Sequence, residues 1–284
     1  MAPRGPRALP LTPNLGAVLP GVTLADEMDD EVFRAIYQAF LRYQVLLFPP
    51  QDLPPARQVS FARRFGEVQI HVMNQYHADG YPELYRLSNL DQDGRPSGHH
   101  PDKGTLAWHT DGSWQRVTGQ ATIIYGEVMP ESGGETHFCD MYGAYERLDA
   151  SWKKRIEDLR AVHNLDFSRT RRHGEDPLTD EQRRAKPPVD HPVVRTHPET
   201  GRKALYLSRS HTVCFRDMSE EESRPLIDFL QGHQTRPEFT CRVRWSPGTL
   251  TVWDNRCTQH SAVNDYHGQR RRMRRLTVGA QTPR

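Results

Sequence analysis

The sequence predicts a mainly β protein, a β-sandwich or jelly roll carrying helical decoration, and three observations predict it. Short runs rich in β-branched and aromatic residues recur along the chain, bounded by turn residues. Only a few segments carry helical periodicity. No succession of strand, helix and parallel strand is visible, so a doubly wound sheet is set aside.

Taken in order, residues 1–13 (MAPRGPRALPLTP) are rich in Pro and Arg and read as a flexible segment ahead of a single domain over 14–284. From Glu31, the apolar residues Phe33, Ile36, Tyr37 and Phe40 fall at helical spacing and predict a helix with one buried stripe. Val45-Leu46-Leu47-Phe48 is too short for a helix and reads as a buried strand closed by Pro49-Pro50. Pro54-Pro55 suit the first turn of a second helix, which buries Phe61 and Phe65 and stops at Gly66. Residues 89–105 (NLDQDGRPSGHHPDKGT) carry no periodicity and read as a lid or a mobile connection, with His99 and His100 a surface pair rather than ligands. Strands follow at 121–128 and, after the turn at 130–134, through Thr136 and Phe138. Leu148, Trp152, Ile156 and Leu159 predict an amphipathic helix. Residues 168–189 are highly charged and read as a mobile insertion. Short strands are expected at 193–194, 204–207, 239–245 and 250–253, and Ser219 with Glu222 forms a capping box for a helix burying Leu226, Ile227 and Leu230.

Composition narrows the function classes. With 38 Lys and Arg against 36 Asp and Glu, no global field steers a polyanion, so nucleic acid is not an expected partner. The longest apolar runs are far too short to span a bilayer, and the N-terminus lacks the apolar core of a signal peptide. Cys139, Cys214, Cys241 and Cys257 are scattered without a C-x-x-C pair, which fits a reducing compartment better than a disulfide framework or a zinc knuckle. A soluble cytoplasmic protein without a membrane partner is the expectation.

Chemistry enters at Trp108-His109-Thr110-Asp111. Two residues apart on extended backbone, His109 and Asp111 point to one face and can converge on one point. An imidazole and a carboxylate are two thirds of the facial triad of non-haem iron(II) oxygenases, whose third ligand would be a distant histidine. Alone the pair is unspecific, since a chain with 14 His contains such spacings by chance, and a polar strand end is the ordinary reading. His260 lies just past the strand at 250–253 and is followed by the run Gln269-Arg270-Arg271-Arg272-Met273-Arg274-Arg275. That run admits two readings, a basic surface patch or an anion pocket. If 270–278 is a strand, Arg271, Met273, Arg275 and Thr277 share one face and Arg270, Arg272, Arg274 and Leu276 the other, so one face would be solvated and the other would bind small anions.

The set His109-x-Asp111, Thr136, His260 and Arg271 resembles the taurine dioxygenase and dichlorophenoxyacetate dioxygenase family of iron(II)/2-oxoglutarate oxygenases. Spacing agrees, with 24 residues between Asp111 and Thr136 and 10 between His260 and Arg271. So does local wording: FARRFGE (61–67), WHTD (108–111), SGGET (132–136), HPVVRTHP (191–198) and WDNRCTQH (253–260). The resemblance runs from about Leu15 to Thr277 and implies a double-stranded β-helix with a metal at its mouth. It further implies that His109, Asp111 and His260 ligate Fe(II), and that Thr136 and Arg271 hold the far carboxylate of 2-oxoglutarate. Arg275 and His71 match positions that hold an anionic substrate group, molecular oxygen is the oxidant, and succinate and carbon dioxide are released. His71, in FGEVQIH, follows the taurine enzyme, whereas ETHFCDM (135–141) and EQRRAKPPV (181–189) are more similar to the herbicide enzyme. The chain departs from the taurine pattern at His211, a candidate substrate contact, and at Gly112 and Thr105, and a plain surface or turn role is the other reading of all three. The expected substrate is a small anionic organic molecule: a sulfonate, sulfate ester, aryloxyalkanoate or related carboxylate. The expected assembly is a homo-oligomer, dimer or tetramer. An internal salt bridge of Arg275 with Asp265 or Asp254 is the competing reading of that residue. Asp111 argues against a halogenase, which leaves the carboxylate position to Ala or Gly. A metal hydrolase, or a non-catalytic binding protein retaining the fold, are the remaining alternatives.

Overall fold

Val45–Phe48 is buried along its whole length because it lies between two apolar layers, and those layers organise the molecule. The structure is a computed structural model that describes residues 6–24, 27–71, 74–97 and 103–284. Eight strands carry the architecture: β1 Val45–Phe48, β2 Tyr81–Ser88, β3 Ala121–Val128, β4 Thr136–Asp140, β5 Thr240–Val243, β6 Leu250–Asp254, β7 Thr258–Ala262 and β8 Arg272–Val278. In the larger sheet the central order is β1-β6-β3-β8-β2, with short strands continuing both edges. The smaller sheet runs β5-β4-β7. These pairs are antiparallel, which is the arrangement of a jelly roll.

Period-two alternation assigns the layers. Val45, Leu47, Ile124, Trp253 and Met273 of the larger sheet meet Phe138, Cys241 and Val243 of the smaller one in the inner core. The alternate residues Leu46, Phe48, Ile123, Val252 and Leu276 face outward onto helices α1 (Asp30–Tyr43) and α2 (Pro55–Arg63). The helical stripe read from the sequence is realised there, with Ile36 and Phe40 fully buried, each worth about 1.5–3 kcal/mol of transfer free energy. Asp29 caps α1 at its start, and Gln44 closes it in the left-handed region at φ 65°. Behind the smaller sheet, Cys139 packs on the helix Met141–Glu146 and on Glu220–Gln234, whose Ser219–Glu222 capping box is formed as expected.

Covering the larger sheet with helices overturns one expectation. The face of β8 read as solvated is so only at its start: Arg270 is exposed and Arg272 half-buried, but Arg274 is 5% and Leu276 2% exposed. Leu276 completes the apolar layer under the helices. Arg274 tolerates burial because Leu53 O accepts from its Nη2, Glu127 ion-pairs with its Nε at 3.4 Å, and its guanidinium lies over Tyr125.

Two segments expected to be mobile carry structure where they are described. Leu9–Pro10 pairs antiparallel with Ala17–Val18. Within 168–189 a π-turn, Ser168–Arg172, is followed by a capped helix, Asp180–Ala185, and Arg169 ion-pairs with Glu175 at 3.0 Å. His99 and His100 lie outside the described residues. No helix among the described residues is long and apolar enough to cross a membrane.

Candidate active site

His109 reaches its place by extending the smaller sheet. Its N–H donates to His260 O at 3.0 Å and its carbonyl accepts from His260 N at 2.9 Å, an isolated bridge beside β7. The two rings are thereby held 4.1 Å apart. Extended backbone turns Asp111 to the same side, and its Oδ1 lies 3.6 Å from His109 Nε2 and 3.8 Å from His260 Nε2. The H-x-D pair and the distal histidine therefore converge, all three buried.

Their geometry suits a metal. His109 Nδ1 donates to Ala107 O at 2.8 Å, which leaves Nε2 as the nitrogen facing Asp111. Burial, with His109 beside it, pushes the pKa of His260 well down, so its ring is neutral. Burial alone would raise the Asp111 carboxyl, but the Arg275 guanidinium at 2.8 Å outweighs it and holds it well below the usual range. Two imidazoles and one carboxylate, with ligand atoms within 4.8 Å of one another, form a set that could hold a divalent metal.

Arg275 is the departure. Its internal partner is neither Asp265, which accepts from Gly134 N at 2.7 Å, nor Asp254, which Arg256 occupies. It pairs with Asp111 because β8 lies beside β3, and Asp111 comes down onto the mouth of that pair. His71 packs against Tyr85, and burial, followed by the charge of Arg275, holds its pKa at about 3. His211 Nδ1 lies 3.3 Å from Ser113 Oγ and its ring 6.2 Å from His109, with burial again holding the pKa at about 3. Both rings are neutral near pH 7, so each offers hydrogen bonds rather than charge. Arg275, His71, His211, Gly112 and Thr105 line one cavity over His109 and Asp111. The charged insertion supplies part of its wall through Ser168, Arg169 and His173, with Leu165 just ahead of it. Besides Asp111, two carboxylates reach the cavity, Glu83 and Glu175, and each is ion-paired, with Arg63 and Arg169.

A second, narrower chamber opens on the other side of His260 and contains Thr136 and Arg271. Trp245 Nε1 donates to Thr136 Oγ1 at 3.0 Å, leaving the Thr136 proton to point at another acceptor. Arg271 is 5% exposed, its Nε has no hydrogen-bond partner, and among the described residues no carboxylate comes within ion-pair distance of it. Burial lowers its pKa, partly offset by Tyr266, over whose ring it lies at 5.4 Å. Asn89 fixes its backbone through two hydrogen bonds. A buried guanidinium without an anion costs several kcal/mol, so this chamber fits the carboxylate end of a dicarboxylic acid such as 2-oxoglutarate.

The sequence profile of the family described as taurine catabolism dioxygenase TauD, TfdA matches residues 7–277. The chain belongs to this TauD/TfdA family. Its members are α-ketoglutarate-dependent dioxygenases, and the chain is an enzyme of that class. It is 34% identical over 266 residues to the (S)-phenoxypropionate/alpha-ketoglutarate-dioxygenase of Sphingobium herbicidovorans, covering 89% of this chain and 88% of that one. It is likewise 34% identical over 279 residues to the alpha-ketoglutarate-dependent 2,4-dichlorophenoxyacetate dioxygenase of Cupriavidus pinatubonensis, covering 95% and 96%. The crystal structure of AAD-2 in complex with Mn(II) and N-oxalylglycine superposes with a TM-score of 0.85 at 34% identity, covering 97% of this chain and 98% of that one. The TauD/TfdA fold accounts for the facing sheets and for the cavity at their mouth. Residues that sequence reasoning missed are the supporting ones, Trp245, Asn89, Thr122 and Asn255, and no spacing rule would have singled them out.

Proposed function

We propose that the chain is an Fe(II) enzyme that couples oxidative decarboxylation of 2-oxoglutarate to hydroxylation of a small anionic organic molecule. The observation that carries this reading is the adjacency of the buried His109–Asp111–His260 set to a buried Arg271 with no carboxylate partner among the described residues. His109, Asp111 and His260 would hold the iron on one face. Thr136, by its hydroxyl proton, and Arg271, by its planar fork, would hold the distal carboxylate of 2-oxoglutarate. Iron held there would supply the activation of molecular oxygen: 2-oxoglutarate would give up two electrons to it on conversion to succinate and carbon dioxide, one oxygen atom entering succinate and the other the substrate C–H bond.

The protein's remaining work is positioning and exclusion of water. Arg275 holds the substrate anion, with neutral His71 donating beside it and His211 contributing from the opposite wall. Trp114 and Leu165 offer apolar surface to the substrate body. An anionic head and an apolar body describe sulfonates, sulfate esters and aryloxyalkanoates alike, and the relatives named for phenoxypropionate and dichlorophenoxyacetate are in keeping with the last. Hydroxylation beside a sulfonate, sulfate ester or ether oxygen gives a product that breaks down spontaneously. The hydrolase alternative needs an unpaired general base at the cavity, and the ion pairs of Glu83 and Glu175 speak against it. A cytoplasmic dimer or tetramer completes the proposal, tested by scattering mass.

The test is a screen for substrate-stimulated succinate release with alkyl sulfonates, sulfate esters, aryloxyalkanoates and N-acyl amino acids. At least one anionic class should raise succinate release well above the uncoupled rate, and its neutral ester or amide should not. Equal stimulation by charged and neutral forms would remove the anion site from the account.

A further inference from the structure

The two oxygens of Asp111 are held differently. Oδ1 faces both imidazoles and Arg275, whereas Oδ2 accepts from Thr122 Oγ1 at 2.7 Å. Thr122 sits on β3, between Trp253 of β6 and Thr277 of β8, and is fully buried. Its hydroxyl in turn accepts from Asn255 Nδ2 at 2.9 Å, and Asn255 Oδ1 accepts from Trp253 Nε1 at 3.1 Å.

The direction of this chain is fixed at its far end. An indole N–H can only donate, so Asn255 must present its oxygen to Trp253 and its amide protons to Thr122. Thr122 has one proton, and with a donor already on its oxygen that proton goes to Asp111. Every member is at most 4% exposed, so water does not compete for these bonds. Thr277 Oγ1, 3.4 Å from Thr122 Oγ1, is left as a further donor and does not reverse the sequence.

We propose that Trp253, Asn255 and Thr122 form a positioning relay that makes Asp111 a one-oxygen ligand. By holding Oδ2, the relay turns Oδ1 toward the two Nε2 atoms and keeps it there before any metal arrives. The inference rests on the reading of His109, Asp111 and His260 as metal ligands. It gives the stretch WDNRCTQH two further site residues besides His260: Trp253 and Asn255 aim the carboxylate, while Asp254 turns away to Arg256. A purely structural chain would satisfy buried polar groups without affecting metal affinity, and that difference is measurable.

The experiment titrates Mn(II) into anaerobic metal-free protein, following free Mn(II) by its paramagnetic resonance signal, with a thermal melt of each variant. Thr122→Val keeps the side-chain shape and removes the hydroxyl, and is expected to weaken Mn(II) binding about 10- to 100-fold, the usual cost of losing such a partner. Thr122→Ser restores the hydroxyl and should restore most of that affinity. Asn255→Ala, which leaves Thr122 in place without the group that aims it, supplies a second arm if Thr122→Val does not fold, and should show a smaller loss in the same direction. Wild-type Mn(II) affinity in folded Thr122→Val or Asn255→Ala, alongside lost binding in a His260→Ala control, would overturn the relay and leave the metal reading standing. Wild-type affinity in the His260→Ala control would overturn the metal reading, and the relay with it.

Discussion

His197, Asp254 and Cys257 bring a second imidazole, carboxylate and sulfur as close together as His109, Asp111 and His260, and just as deeply buried. In this second cluster the carboxylate oxygens and the imidazole nitrogens are already engaged. Asp254 Oδ1 accepts from Arg256 N and Nε, and Oδ2 accepts from Arg256 Nη2 at 2.7 Å and from His197 Nε2 at 3.1 Å. His197 Nδ1 accepts from the backbone N–H groups of Glu199 and Thr200, so its proton is on Nε2. Burial and the Asp254 charge push the Cys257 thiol well up, keeping it protonated. The first cluster differs in three respects: both of its imidazole Nε2 atoms face the carboxylate, it opens on a cavity, and its carboxylate meets one guanidinium edge rather than a fork. Donor type and proximity do not make a metal site. Convergence of donor atoms beside an open cavity does.

Several substitutions break or sharpen this contrast, in descending order of expected effect. Asp254→Asn leaves Arg256 buried without its main counter-charge and should cost about 3–5 kcal/mol of stability in urea unfolding, as for breaking a buried pair. A loss under 1 kcal/mol would mean that the second cluster is not the ion-pair hub described here. Arg271→Gln removes the planar fork from the inner chamber and should weaken 2-oxoglutarate by roughly 2–5 kcal/mol, with little change in melting temperature. An unchanged 2-oxoglutarate requirement would place the co-substrate elsewhere. Arg275→Ala should weaken an anionic substrate by about 1.5–3 kcal/mol, as for one charged hydrogen bond, while 2-oxoglutarate affinity holds. A parallel loss of both would assign Arg275 to Asp111 alone.

A separate test lies in pH. His71 and His211 are held at about 3 and His191 at about 4, in each case by burial first. In the unfolded chain the same groups titrate near 6.5, so below that pH the unfolded state binds protons that the folded state refuses. Their contribution is complete above pH 6.5 and declines as pH falls toward 4. The urea midpoint of metal-free protein should therefore drop steadily from pH 7 to pH 5, and a flat profile would contradict neutral burial of these rings.

What was legible in the sequence is what depends on local pattern. The stripe of α1, the buried run at Val45–Phe48 and the Ser219 capping box each follow from spacing within one segment. The convergence of His109 with Asp111 followed from strand periodicity, and His260 was placed by its position after a strand. Pairing between distant segments was not legible. Nothing local says that β8 runs beside β3, so the Arg275–Asp111 pair was missed while two other carboxylates were considered. Thr122 and Asn255 are 133 residues apart in the chain and meet only because β6 lies beside β3. The solvated face assigned to Arg274 failed for the same reason: periodicity separates two faces but does not say what covers them.

Metal stoichiometry tests the central contrast most directly, measured by calorimetric titration of Mn(II) into anaerobic metal-free protein. The wild type and Cys257→Ala should each bind one ion per chain, and His109→Ala and His260→Ala should lose that binding while remaining folded. Two ions per wild-type chain, or binding lost in Cys257→Ala and kept in His260→Ala, would contradict the assignment of the metal to the His109–Asp111–His260 cluster.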